Sequence, residues 1–211
     1  MELTFSGTAR QELLQRARMA IARAIGADEA GPVLLPADRM RGSPIVAEGS
    51  NRARSAVTDR AGAFVSLYVE DDLRGCIGYL ERDLPLVQVI ERCAVSAAVS
   101  DPRFPSLSAP EWSRTTIEIS VLGPIEPVAE ITEIEIGRHG LVAEQGQRRG
   151  LLLPQVATEW GWSREEFIQH TCRKAGLAKD AWQHGAATLY KFEAEVFGEK
   201  TRRADHEDRK P

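Results

Sequence analysis

Leu73-Arg74-Gly75-Cys76-Ile77-Gly78-Tyr79 is the stretch on which the reading of this 211-residue chain turns. It follows Gly62 to Val69, in which Ala63, Val65, Leu67 and Val69 alternate with more polar residues, the pattern of a half-buried strand. The acidic residues Glu70-Asp71-Asp72 lie between the two. A three-residue turn pairs Val69 with Leu73 and sets the apolar Leu73, Ile77 and Tyr79 against the apolar side of the first strand. A two-residue turn slips the register by one and mixes the faces. The three-residue turn is therefore expected. It places Arg74, Cys76 and Gly78 together on the opposite face, across from Tyr68, Ser66 and Phe64. A thiol beside a guanidinium, among glycines that admit close approach, suits a binding or reactive site.

Outward from this hairpin the periodicities predict alternating helices and strands. Residues 8 to 25 carry Leu13, Ala17, Ala20, Ile21 and Ala24 at helical spacing, with Gly26 as the stop. Residues 26 to 58, rich in Gly, Pro, Ser and Arg, predict a long wrapping loop. Leu86, Val89, Ile90, Cys93, Ala94 and Ala97 mark a second helix, with Asp83 near its N-cap and Asp101-Pro102 at its end. Residues 115 to 122 alternate as a strand that Gly123-Pro124 terminates.

The plan then repeats. Gly140 to Glu144 and Arg149 to Leu153 read as a second hairpin around Gln145-Gly146-Gln147. Its Arg149-Gly150 stands 75 positions after Arg74-Gly75. Ser163 and Glu166 form a capping box for a helix that Gly176 ends, and Thr188 to Phe197 alternates as one last strand. Trp160, Trp162 and Trp182 flank that helix and are expected to be largely buried. The fold class predicted is α+β: one domain with mostly antiparallel sheet and two pseudo-twofold-related hairpin–helix–strand halves, about 62–122 and about 139–197, plus an N-terminal helix. The polar residues 200 to 211 predict a disordered tail.

Composition narrows the classes. A hydrophobic content of 43% and a charged content of 27% are ordinary for a globular chain. No apolar run is long enough for a membrane span and no secretory signal is evident, so a cytoplasmic location is expected. Three widely spaced cysteines suit free thiols in a reducing compartment. A net charge of −4 argues against a surface built to bind nucleic acid.

Several blocks carry a resemblance. Leu73 to Gly78 is similar to the signature hexapeptide of the AMMECR-type domain, called AmmeMemoRadiSam system protein A in bacteria. Asp101-Pro102-Arg103-Phe104, Arg138-His139-Gly140-Leu141, Leu151-Leu152-Leu153-Pro154-Gln155-Val156 and Lys174-Ala175-Gly176-Leu177 resemble that family's later blocks, in the same order. The resemblance covers roughly residues 8 to 199. It implies a shared fold and an association with Memo-type and radical-SAM proteins, rather than a reaction.

The candidate residues follow from both readings. Cys76 is the leading nucleophile, with Arg74 placed to favour its thiolate; the alternative is a buried cysteine acting as a small hydrophobe. His139, at the start of the second hairpin, is the candidate acid or base, able to meet Cys76 in a groove between the halves; the alternative is a turn histidine bonding backbone. Asp101 and Arg103, flanking a proline, pair with each other or brace a neighbouring loop; the alternative is ordinary turn chemistry. Gln155 either aims its amide into a cleft or caps the next segment. Arg74, Gly75, Gly78, Asp101, Arg103 and Gln155 are the candidate binding residues. No metal-ligand spacing and no cofactor motif occurs. Two classes of function remain: a module binding a small molecule, peptide or partner protein, and an enzyme using Cys76 as nucleophile or redox thiol with His139.

Overall fold

The computed structural model describes residues 4–27, 59–183 and 185–199. The long stretch 28–58 and the tail 200–211, for which a loop and disorder are predicted, lie outside the described residues. The chain divides into two compact units, one formed by Thr4–Val121 with Val196–Thr201, the other by Leu122–Glu195.

In the first unit, helix α1 (Gly7–Ile25) starts where Ser6 Oγ accepts the Ala9 N–H at 3.2 Å. It ends where Gly26 takes φ 65°, a left-handed angle that glycine adopts at no cost. Leu13, Ala17 and Ile21, one face by helical spacing, are buried. Strands β1 (Ala63–Val69) and β2 (Asp72–Tyr79) form the hairpin, followed by helix α2 (Leu86–Val99), the short helix α3 (Ala109–Trp112) and strand β3 (Thr115–Leu122). The sheet order is β2-β1-β3-β8, where β8 is Ala194–Gly198. Helix α2 packs on β1 and β2, and α1 packs on α2. Ala63, Val65, Leu67, Ile117 and Ile119 of the sheet and Ile90, Ala94 and Ala97 of α2 are buried.

The second unit repeats the scheme. Strands β5 (Gly140–Gln145) and β6 (Arg148–Leu152) form a hairpin, helices α4 (Pro154–Glu159) and α5 (Arg164–Lys174) follow, and β7 (Thr188–Phe192) returns. Strand β4 (Glu126–Pro127) completes a sheet of order β6-β5-β7-β4. Each sheet thus runs return strand, first hairpin strand, third strand, fourth strand. The fourth strands are exchanged: β4 follows β3 in sequence but pairs with β7, and β8 follows β7 but pairs with β3. Leu141, Ala143, Phe167, Ile168, Cys172 and Leu189 form the core of this unit. The mixed α+β class with antiparallel hairpins is the one the periodicities predict.

The structure corrects four local expectations. The first hairpin turns on two residues, with Val69 opposite Asp72 and Glu70 at φ 60°. A register shift between Leu67 and Tyr68 then inserts Arg74 as an extra residue, a β-bulge. Beyond it Ser66 faces Cys76 and Phe64 faces Gly78, as expected, while Tyr68 faces Leu73 rather than Arg74. The bulge absorbs the slip, so a tight turn coexists with the apolar register. The last predicted strand is two strands in different sheets, divided at Glu193, whose carbonyl accepts the Gly123 N–H at 2.8 Å. Pro85, not Asp83, caps α2; Asp83 accepts instead from the Tyr79 hydroxyl at 2.9 Å. Trp160 is 70% exposed, whereas Trp162 and Trp182 are half-buried.

Two glycines set how closely each helix lies on its hairpin. A Cβ added at Gly75 would stand 2.1 Å from the Ala97 carbonyl oxygen, and one at Gly150 would stand 2.2 Å from the Ala175 nitrogen. Both neighbours are backbone, which cannot rotate away as a side chain can. Gly75→Ala and Gly150→Ala are each expected to cost roughly 1–3 kcal/mol through overpacking. Gly7→Ala, where nothing lies within 4 Å of the added carbon, is expected to change stability by less than about 1 kcal/mol. Urea denaturation of the three variants checks this; equal stability of all three would remove the close-approach argument.

Candidate functional site

Strand β2 stands at the edge of its sheet, and an edge strand carries outward N–H and C=O groups that need partners. The segment leaving α2 supplies them at Cys76. The Cys76 N–H donates to Asp101 Oδ2 at 2.8 Å, and Arg103 Nη2 donates to the Cys76 carbonyl at 3.1 Å. Arg103 and Asp101 are themselves joined by a fork, Nε to Oδ1 at 3.0 Å and Nη2 to Oδ2 at 2.7 Å, and the Arg103 N–H donates to Oδ1 at 3.1 Å. Asp101 is buried, and the Arg103 side chain is 51% exposed. The guanidinium and the two N–H donors hold the Asp101 carboxyl well below the usual carboxylate range.

Arg74 points elsewhere. As the bulge residue it donates to Glu111 Oε1 at 2.9 Å and to the carbonyls of Pro105 at 2.7 Å and Ser106 at 3.3 Å. Its guanidinium, with the Ser108 donors, pulls Glu111 down to about 2. Arg74 thus anchors the 105–111 segment, and the nearby cation that lowers the Cys76 thiol is Arg103. Burial outweighs that cation and the Ser66 hydrogen bond, so the thiol is pushed up overall. Gly78 does not open a path for a ligand: an added Cβ would stand 2.2 Å from the Phe64 ring, which fills that space. Gly75 serves the approach of α2.

On the sheet face that carries the Cys76 side chain, three strands align polar residues. Cys76 of β2 faces Ser66 of β1, which faces Glu118 of β3. Ser66 Oγ donates to Cys76 Sγ at 3.2 Å, and the Tyr68 hydroxyl lies 3.5 Å from Glu118 Oε1. Ser66 stands opposite Cys76 as the hairpin register predicts, though not among the candidate site residues, and Glu118 is a candidate that sequence reasoning missed. The signal for Glu118 was present, since it is a polar member of an alternating strand, but only the pairing of β1 with β3 aligns it with Ser66 and Cys76.

His139 and Gln155 belong to the second unit. His139 is buried, its Nδ1 accepts the Glu135 N–H at 3.0 Å, and its own N–H donates to the Glu135 carbonyl at 3.0 Å. Burial lowers its pKa. These contacts are those of a turn histidine, with Nε2 left as the nitrogen that carries the proton in the neutral ring. Arg138 beside it pairs with Glu193 at 2.7 Å and Glu135 at 3.1 Å. Gln155 sits in α4 behind Pro154, and its Oε1 is buried with no hydrogen-bond partner among the described residues. Cys93 is buried and its thiol is pushed up to about 12. Among the described residues, no group of three or more His, Cys, Asp or Glu is placed to hold a metal ion, and no helix is long and apolar enough to cross a membrane.

The site and the two like sheets define a class of α+β proteins in which an Asp-Pro-Arg segment clamps an Arg-Gly-Cys edge strand. Residues 17–197 match the AMMECR1 family, and the chain belongs to it. A protein of Methanothermobacter thermautotrophicus is 46% identical over 146 residues, 66% of this chain and 76% of that one. Protein MJ0810 of Methanocaldococcus jannaschii is 44% identical over 149 residues, 67% of this chain and 74% of its own. The crystal structure of the uncharacterized protein PH0010 from Pyrococcus horikoshii has a TM-score of 0.76 at 34% identity, covering 93% of this chain and 94% of the other.

Asp101→Asn removes the charge while keeping the size. It is expected to destabilise the fold by roughly 2–3 kcal/mol at neutral pH, the value of hydrogen bonds to a charged group. A carboxylate whose folded pKa lies below its unfolded value of about 3.9 adds stability above that value and loses it as pH falls through the folded value. The unmodified protein should therefore lose stability as pH drops below about 4, and Asp101→Asn should show a shallower loss. Thermal melts of both from pH 7 to 2.5 check this; parallel curves would show that the clamp contributes nothing.

Proposed function

We propose that the chain is a binding module, whose first unit recognises a small molecule or peptide through the Cys76–Ser66–Glu118 row. One observation carries this reading. The corresponding positions of the second sheet are Leu151, Val142 and Tyr190, aligned by the same register one residue from the close-approach glycine. A sheet of this order is therefore built without a polar row there, and packing alone does not call for a thiol, a hydroxyl and a carboxylate in line. Those groups supply hydrogen-bond donors and acceptors suited to a polar ligand, with the half-exposed Arg103 beside them. The family resemblance supplies Memo-type and radical-SAM proteins as the partners in whose company the module works.

The alternative, in which Cys76 attacks a substrate with His139 as acid or base, requires a thiolate at neutral pH. The raised thiol and the commitment of His139 Nδ1 to a backbone amide weigh against it.

Alkylation of the protein with iodoacetamide across pH 6–10 separates the two. The Cys76 reaction is expected to rise only above the ordinary thiol value of about 8.5, and Cys76→Ser removes the modified peptide from the mass map. A Cys76 thiol half-reacted near pH 7 would establish the enzyme reading instead. Alongside it, Glu118→Gln and Ser66→Ala are expected to weaken capture of co-expressed Memo-type or radical-SAM protein, or of the ligand they share, with melting temperatures close to that of the parent.

A further inference from the structure

In the second unit, well away in sequence from the row just described, three aromatic rings form a ladder. Trp160 and Trp162 stack with centroids 6.0 Å apart and 17° between planes, and Trp162 stacks on His170 of α5 at 3.8 Å and 6°. The backbone builds this arrangement. Trp160 caps α4 with its N–H on the Val156 carbonyl at 3.2 Å, Gly161 turns at φ 63°, and the Trp162 N–H donates to the Ala157 carbonyl at 2.9 Å. The Ser163–Glu166 capping box then starts α5. The outermost ring is nevertheless 70% exposed. It is a large side chain held by its neighbour on one side and open to solvent, so little ordering cost would remain on contact with a partner.

Carboxylates flank the exposed end of the ladder in sequence, while His170 at its other end lies beside Glu166. Glu159 precedes Trp160, and Glu165 and Glu166 follow in the first turn of α5; all three are exposed. Arg164 is the one base between residues 157 and 169; it is half-buried, its Nε donating to the Ile134 carbonyl at 2.8 Å. We infer that the Trp160 ring is a docking platform for a cationic side chain, an arginine or lysine on a basic segment of a partner protein. The indole face attracts a cation more strongly than any other side-chain ring, and the carboxylates favour a basic segment and repel phosphate or an acidic peptide. This surface belongs to the second unit and the polar row to the first, and its test does not depend on that reading.

The experiment follows the Trp160 indole N–H, assigned by its disappearance in Trp160→Phe, in nitrogen-labelled protein titrated with a blocked Gly-Arg-Gly-Arg-Gly peptide. The expected result is a saturable shift of that signal. Binding should weaken about two- to fivefold when citrulline, a neutral isostere, replaces both arginines, the range of an exposed cation–π contact. Glu165→Gln should weaken it further, and Trp160→Leu, which keeps bulk without a π face, should abolish the arginine preference. Trp160 is exposed, so both Trp160 variants should melt with the parent. An unmoved Trp160 signal, equal binding of the citrulline peptide, or full binding by Trp160→Leu would each overturn the inference.

Discussion

The contact between a helix backbone and a return strand, closed enough to exclude even a Cβ, is the constraint from which the candidate site follows. At Gly75 the strand accepts the end of α2 against it, and the next residue along the strand is Cys76. Asp101 lies four residues beyond Ala97, about one helical turn, so a helix end pinned at Gly75 delivers Asp101 to the edge of β2 beside Cys76. The clamp is thus a consequence of the approach. In the second unit Gly150 receives the end of α5 in the same way, but the chain there continues into Gly176 and Leu177 with no carboxylate. Arg148 Nη1 donates to the Gly176 carbonyl at 3.3 Å instead. One packing solution therefore supports two different edge treatments.

The charges in the first unit are distributed so that arginines serve carboxylates and backbone, not the thiol. Arg74 is spent on Glu111 and two carbonyls, and Arg103 on Asp101 and the Cys76 carbonyl. Burying Asp101 carries a desolvation cost, and the fork with Arg103 and the N–H of Cys76 offset it. Cys76 receives a hydroxyl donor from Ser66 and the nearby charge of Arg103, together too weak to counter its own burial. A protein selected for a nucleophile places a base or an unpaired cation at the sulfur. Here the strongest electrostatic groups, Asp101 and Arg103, bond to the Cys76 backbone and to one another.

The fold was legible where local chemistry decides it. The alternation of Ala63, Val65 and Leu67, the Ser163–Glu166 box and the Gly26 stop each act within a few residues, and each is found as read. What escaped depended on long-range pairing. The bulge at Arg74 is invisible in a hairpin taken alone, because either turn length satisfies part of the apolar pattern, and only packing against β3 and α2 selects a tight turn with an extra residue. The break at Glu193 escaped for the same reason: Leu189 to Phe197 alternates smoothly, while the partner strand changes. Trp160 was assigned to the interior because it flanks a capped amphipathic helix, but its ring stacks on Trp162 and stays 70% exposed. Among candidate site residues, the Asp101–Arg103 pair was one of the alternatives a short motif offered, whereas the roles of Arg74 and Gly78 depended on neighbours 37 and 14 positions away.

Comparison of the two sheets gives the polar row its meaning. Position by position, Gly75, Leu67 and Ile117 correspond to Gly150, Ala143 and Leu189, all of them buried. One residue along, the rows diverge: cysteine, serine and glutamate against leucine, valine and tyrosine. The inward faces stay alike because each must accept a helix end against a glycine. The other faces are released from that demand, since side chains one residue apart point to opposite sides of a strand. A thiol–hydroxyl–carboxylate row on a half-buried sheet face gains less from burial than the apolar row at the same register. Its presence in one sheet and not the other is what a gain in recognition, rather than in stability, would produce.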